Sequence, residues 1–276
     1  NWDKTIVKIK LTIYAISKNI NNNKLDLDIY TLESGCPLNE SQLNVYLDII
    51  ANNKYDTYSI PLFMEIPKKY NENMVSDALG KIFEVHPILS MHISKESEIP
   101  YLTKGQDPQI IIEDHIDEEF IIKFLNQPFD LHDSLCRFLI INDNDNCKLI
   151  AVFNHIIFDA LSDNVFKRDL LSILDGVLPD VDESFLKVSA FSQQITTTEE
   201  YIDAKNFYEY MLADNEEAGL LIESVDASES GALGIDLDLD NDLLKSFLTK
   251  HRISENVLFT SAFAYTLSRF TGSKYA

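Results

Sequence analysis

An α/β (α+β) sandwich is the fold class that the sequence predicts. Segments of strand period and segments of helix period alternate loosely along the chain, which favours an open layered sheet over a barrel. No internal repeat interrupts that alternation. The 276 residues, 45% of them hydrophobic, can bury a large core in one big domain or two smaller ones.

The elements follow in order. Val7, Ile9, Leu11, Ile13 and Ala15 alternate with polar or amphipathic neighbours, and Leu25, Leu27 and Ile29 alternate with Asp26, Asp28 and Tyr30. The turn-rich KNINNN between them makes 5–32 a predicted hairpin. Gly35, Cys36 and Pro37 break the pattern, and Asn39 with Gln42 forms a capping-box signature opening a helix over 40–52. The run YSIPLFMEI predicts a strand over 58–66, with Pro61 favouring a sheet edge or a bulge. Met74, Val75, Ala78, Leu79, Ile82 and Phe83 recur at helical spacing, giving a helix over 72–85 that His86-Pro87 ends. His86 is expected to cap the last carbonyls.

Strands are predicted at 88–94 and 109–113, and a helix at 117–125. The turn Pro128-Phe129-Asp130-Leu131 leads into a strand over 136–141. The acid-rich 142–146 lacks the glycine and terminal glutamate of a calcium loop and reads as a hairpin turn, from which 148–153 returns as a strand. After Asp159 a helix extends to 174, with Leu161, Val165, Leu170, Leu171 and Leu174 as its expected buried side. Residues 176–198 read as a linker, and helices follow at 199–212, 241–250 and 255–270. A strand is predicted over 231–239, where Ile235, Leu237 and Leu239 alternate with aspartates.

Composition excludes several classes of function. Lys and Arg total 23 against 45 Asp and Glu, a net charge of −22. Such a surface repels a phosphate backbone and an anionic membrane, so neither nucleic acid nor membrane is an expected partner. Cys36, Cys136 and Cys147 fit no zinc spacing and no disulfide framework, which points to reduced thiols and a cytoplasmic setting. The opening NWDKTIVKIKLTIYAIS carries lysines inside its apolar stretch and is neither a signal peptide nor a membrane span.

The stretch Asn154-His155-Ile156-Ile157-Phe158-Asp159-Ala160 carries the chemistry. A strand ends at a histidine, a tight turn follows, and a helix begins after an aspartate. Histidine titrates near neutrality and suits proton transfer from an amine or hydroxyl. Asp159 has two candidate tasks, orienting His155 or holding the turn. If 136–141 pairs with 148–153, Arg137 lies beside the strand end carrying His155, where its guanidinium can take Asp159 in a bidentate pair. Losing one member of such a buried pair would cost about 3–5 kcal/mol. Asp159 and Arg137 are therefore the expected structural support, and His155 the reactive group.

These residues resemble the condensation domains of nonribosomal peptide synthetases, whose signature is HHxxxDG. Other segments agree in order. Asn39-Glu40-Ser41-Gln42 with Tyr46 is similar to SxAQ and an aromatic, Tyr58-Ser59-Ile60-Pro61 to YNIP, and Val85-His86-Pro87-Ile88-Leu89-Ser90 to RHxxLR. Pro128-Phe129-Asp130-Leu131 with Leu135-Cys136-Arg137 resembles PFDL…PLxR, and Leu267-Ser268-Arg269-Phe270-Thr271-Gly272 resembles LSRYTG. The resemblance covers 36–276. It implies a chloramphenicol-acetyltransferase-like subdomain over 36–178, and a linker with the start of a second such subdomain over 179–276, preceded by a leading segment at 1–35. It also implies amide-bond formation between thioesters held on the 4'-phosphopantetheine of donor and acceptor peptidyl carrier proteins. Adjacent synthetase domains would be partners, and no cofactor or metal would be bound by the chain itself. Carried over, His155 moves or positions the amine proton, the backbone N–H at Ala160 is an oxyanion donor, and Asp159 pairs with Arg137.

Three departures bear on activity. Asn154 replaces the first signature histidine and cannot shuttle protons. Ala160 replaces the glycine and would be strained at positive φ. The sequence stops soon after LSRFTG, which predicts truncation within the second subdomain. Asn154 and Ala160 support a rival reading, a platform that docks carriers or a tailoring partner without chemistry. A free-standing coenzyme-A-dependent acyltransferase is a third reading, and LSRFTG counts against it. Lys54, Lys68, Lys69, Lys167 and Arg168 are the candidates for a basic patch that receives acidic carriers.

Overall fold

The computed structural model describes residues 25–55, 57–114, 116–143, 146–213 and 234–272. They fall into two compact units that divide between Ile202 and Asp203. The first unit is an α/β assembly with two sheets. Its elements are β1 (Cys36–Pro37), α1 (Glu40–Asn52), β2 (Ser59–Ile66), α2 (Glu72–Val85), a 3-10 turn (Pro87–Ser90), β3 (Met91–Ile93) and β4 (Tyr101–Lys104). Then come β5 (Ile110–Glu113), α3 (Glu118–Asn126), β6 (Cys136–Asp143), β7 (Asn146–Asn154), α4 (Ala160–Leu174) and α5 (Ser184–Ile195).

The larger sheet has the order β2-β7-β6-β5 and the smaller one β1-β4-β3. β2, β7 and β6 are antiparallel neighbours, and the pairing of β6 with β7 extends to Asn142 with Cys147 and Asp143 with Asn146, so residues expected to lie in the turn belong to the strands instead. β5 runs parallel to β6, a pairing that needs a crossover, and α3 lies in that connection. Pro61, which has no N–H to give, sits on the edge strand β2 as expected.

The two faces of the larger sheet are covered differently. Phe138 and Phe153 point to the face under α2 and α4, where Phe138 meets Phe83 at 5.4 Å and Phe166 at 6.0 Å between ring centroids. Phe153 and Phe158 stack at 3.8 Å, clamping the turn after β7 onto this aromatic core. Arg137, one residue before Phe138, faces the opposite side and meets α3 there. The three cysteines are buried and unpaired by disulfides, and burial raises the thiol pKa to about 11 at Cys36 and Cys147 and higher still at Cys136. Gly35 must be glycine: its φ is +69°, and a Cβ there would lie 2.1 Å from the Leu102 carbonyl oxygen on β4.

Several expectations need correction. The part of the 5–32 hairpin within the described residues, 25–32, forms turns and no strand, and its remainder lies outside them. The strand predicted at 88–94 begins with a 3-10 turn at Pro87, leaving only Met91–Ile93 extended, and β4 was not foreseen. The buried side of α4 is Phe166, Asp169, Leu170, Ile173 and Leu174, whereas Leu161 is 76% exposed. The aspartate in that stripe hid the phase of the helix. Residues 176–198 are not merely a linker: α5 buries Leu186, Ser189 and Ala190 in the first unit, and Ser189 Oγ donates to the Pro37 carbonyl at 2.6 Å.

In the chain that follows, α6 (Glu199–Leu212) spans the division, and α7 (Asn241–His251) and α8 (Glu255–Thr271) belong to the second unit. Asp240 and Ser254 cap the N-termini of α7 and α8. The strand predicted at 231–239 is absent over the described 234–239, where Ile235, Leu237 and Leu239 are exposed. Alternation alone does not make a strand when no neighbouring strand pairs with it.

Candidate active site

His155 stands one residue beyond the end of β7. The strand delivers it on rigid backbone: Asn154 N–H donates to the Leu135 carbonyl at 2.8 Å, and His155 N–H donates to the Tyr58 carbonyl at 2.9 Å. The next residues turn sharply, with Ile157 N–H donating back to the Asn154 carbonyl at 3.0 Å. Ile156, Ile157 and Phe158 are buried while His155 is exposed, so apolar burial on one side of the turn turns the imidazole outward.

The tautomer follows from the turn. His155 Nδ1 lies 2.9 Å from the Phe158 carbonyl oxygen, which can only accept, so Nδ1 carries the hydrogen. Nε2 then offers its lone pair outward. Tyr58 flanks the ring at a centroid distance of 6.3 Å, and its hydroxyl donates to Asp48 at 2.6 Å, which Lys54 also holds.

Asn154 is fully buried, and its Oδ1 accepts from Ile156 N–H at 3.0 Å. It fixes the turn and takes no outward position. Ala160 is the first residue of α4, and its φ is not positive, so alanine here carries none of the strain anticipated for a replaced glycine. Its N–H belongs to the unsatisfied first turn of the helix and is not taken by the carboxylate beside it.

The expected pair between Asp159 and Arg137 does not form. Asp159 is the N-cap of α4: its Oδ1 accepts from Leu161 N–H at 3.0 Å, Ser162 N–H at 2.8 Å and Ser162 Oγ at 2.7 Å. Ser162 Oγ is also the partner of Asp159 N–H, completing a capping box. Arg137 instead caps the C-terminus of α3. Its Nε donates to the Phe124 carbonyl at 3.0 Å, and its Nη2 to those of Leu125 at 3.3 Å and Gln127 at 2.6 Å. The helix ends offer each charged group a nearer partner of suitable sign than the other side chain. Each side chain caps a different helix, Asp159 the start of α4 and Arg137 the end of α3.

Hydrogen bonds from Ser162, then from its backbone and that of Leu161, hold the Asp159 carboxyl below its usual range, with His155 adding a smaller pull. A lowered carboxyl pKa stabilises the fold above the unfolded value and loses that contribution as pH falls through the folded one. Replacing Asp159 by Ala is therefore expected to cost about 1 kcal/mol in denaturant unfolding at neutral pH. The difference from the parent chain should shrink below pH about 4. A loss of about 3–5 kcal/mol would instead indicate the buried ion pair.

Sequence reasoning missed three contributors. Gln42 Nε2 donates to the Ile156 carbonyl at 2.9 Å, binding the start of α1 to the His155 turn; it was visible only as a capping residue and as part of a motif. Tyr58 was visible only as part of a motif. His86 does not cap carbonyls with its ring: its Nε2 lies 2.9 Å from Asp169 Oδ2, which is nearly buried on α4 and also bound by Arg168. The carboxylate at helical spacing among Phe166, Leu170 and Ile173 was the available signal. His86, Ile157, Phe158, Asp159 and Phe166 line a cavity of about 330 Å³ behind the turn.

The basic-patch candidates are largely neutralised. Lys54 pairs with Asp48, Lys69 with Asp175, Lys167 with Asp163 and Arg168 with Asp169. Among the described residues, no helix is long and apolar enough to cross a membrane, and no group of His, Cys, Asp or Glu is placed to hold a metal ion.

A family model described as the condensation domain matches residues 33–276. Among solved structures, the chain is similar to the X-domain in a complex with OxyB from teicoplanin biosynthesis, at a TM-score of 0.70 and 18% identity, covering 90% of this chain and 60% of that one. It is similar to a condensation domain of the enacyloxin polyketide synthase associated with chain release, at a TM-score of 0.64 and 17% identity, covering 91% of this chain and 54% of that one. The starter condensation domain of the rhizomide synthetase RzmA aligns at a TM-score of 0.63 and 14% identity, covering 88% of this chain and 60% of the other. The chain thus spans 54–60% of the length of these structures.

Proposed function

The chain belongs to the condensation-domain family, and on that premise we propose that it contributes the histidine-bearing part of a domain that forms an amide bond between two carrier-bound thioesters. The observation that carries this reading is the exposed imidazole whose Nδ1–H is committed to the Phe158 carbonyl, because Nε2 is then a proton acceptor fixed in direction. The acceptor amine attacks the donor thioester carbon, a C–N bond forms and the C–S bond breaks. The amine proton passes to His155 Nε2 and from there to the departing thiolate.

Negative charge develops on the thioester oxygen during attack, and Ala160 N–H is the donor offered to it. One such donor is worth ~2.7–4 kcal/mol in the transition state. Asn154 holds the turn through Ile156 and moves no proton. The substrates arrive on the 4'-phosphopantetheine arms of donor and acceptor carrier proteins, which adjacent synthetase domains load, and the chain itself holds no cofactor in this scheme.

A second reading is favoured by Asn154 and Ala160 at the signature positions and by the likeness to an X-domain found in complex with OxyB. It is a platform that docks carriers or a tailoring partner without forming a bond. Incubating the full-length protein with a loaded donor and a loaded acceptor carrier, followed by mass spectrometry of the acceptor, tests both. Acyl transfer to the acceptor amine is the expected result. Carrier binding with no transfer would overturn the first reading in favour of the second.

A further inference from the structure

Ser59 and Asn154 face each other across β2 and β7. The neighbouring pair, Tyr58 and His155, is the one joined by a backbone hydrogen bond, so Ser59 and Asn154 form the closer, non-hydrogen-bonded kind of pair with both side chains on one face. The Asn154 amide is oriented by Ile156 N–H, which takes its Oδ1. Its Nδ2 is therefore the atom left over. Nδ2 and Ser59 Oγ are both sealed from solvent, and among the described residues neither has a hydrogen-bond partner. A buried amide donor left unsatisfied is costly, and two such atoms on facing positions share one remedy.

We propose that a single internal water binds between these two side chains, accepting from Asn154 Nδ2 and bridging to Ser59 Oγ. Two polar partners are at the lower end of what holds a buried water. The water ties β2 to the end of β7 one residue before His155, supplementing the backbone bond from His155 N–H to Tyr58. The site belongs to the frame of the turn, and it holds whether the domain transfers acyl groups or only docks partners.

A high-resolution crystal structure of the full chain tests it. The expected result is a peak of density within hydrogen-bonding distance of both atoms. The lack of such a peak, or a direct bond between Ser59 Oγ and the Asn154 amide, overturns the proposal. In solution, Ser59→Ala, Asn154→Leu and the double variant form a cycle read by denaturant unfolding. The expected coupling is about fivefold in the unfolding equilibrium, because either single change deprives the water of a partner. Additivity to within about twofold overturns it. If Asn154→Leu fails to fold, Asn154→Ala, which also removes the amide donor, takes its place in the cycle.

Discussion

Replacing His155 by Ala is expected to slow amide-bond formation by about 100-fold to 10,000-fold, the usual contribution of a positioned general base. The loss should appear in the bond-forming step alone. Loading of the carriers, which other domains perform, should not change. Stability should change little, because the ring is exposed and its one strong hydrogen bond, to the Phe158 carbonyl, closes a turn that Asn154, Gln42 and the stacked Phe153 and Phe158 also hold. Single-turnover transfer from a loaded donor carrier to a loaded acceptor carrier is the measurement. A variant that transfers at the parent rate would remove His155 from the mechanism, and with it the proposed acyl transfer.

Replacing Arg137 by Ala is expected to destabilise the fold by about 3 kcal/mol, measured by denaturant unfolding. Three carbonyls at the end of α3 lose a charged donor, each such bond being worth roughly 1.5–3 kcal/mol, with partial recovery through rearrangement. The guanidinium also lies 4.3 Å from the ring centroid of Phe129 and 5.5 Å from that of Phe124, contacts that alanine cannot make. Burial without a carboxylate partner lowers the Arg137 pKa to about 10, so the group already bears a desolvation penalty that the carbonyls offset. Lysine should not rescue, since a single ammonium cannot reach three divergent acceptors as a planar fork does. Arg137→Ala combined with Asp159→Ala should be additive. Coupling beyond about 0.5 kcal/mol would show that the two side chains do pair.

Much of this architecture was legible because the sequence states it locally. Asn39 and Gln42 write out a capping box, and the box is there. Pro61 announces an edge strand, and the apolar spacing of 72–85 gives the bounds of α2. The chain also places His155 at a strand end and Asp159 at a helix start. What it does not state is which partner a charged side chain selects. Spacing put Arg137 within plausible reach of Asp159, yet two helix termini compete for those charges, and their dipoles are a property of the folded backbone. Asp169 misled for a related reason: a carboxylate in a helix reads as solvated unless a histidine from another element meets it. The alternating run near 235 shows the opposite error, a local pattern with no strand beside it among the described residues to complete a ladder.

Cys36, Cys136 and Cys147 carry a consequence for how such chemistry is probed. Pantetheine analogues that carry an electrophile, such as a maleimide or a chloroacetyl group, are attacked by thiolates, and burial keeps all three sulfurs protonated and out of reach at neutral pH. Covalent labelling of the native chain at cysteine would therefore be a signature of partial denaturation, and a reagent tethered to a carrier arm could be aimed at the imidazole with little background.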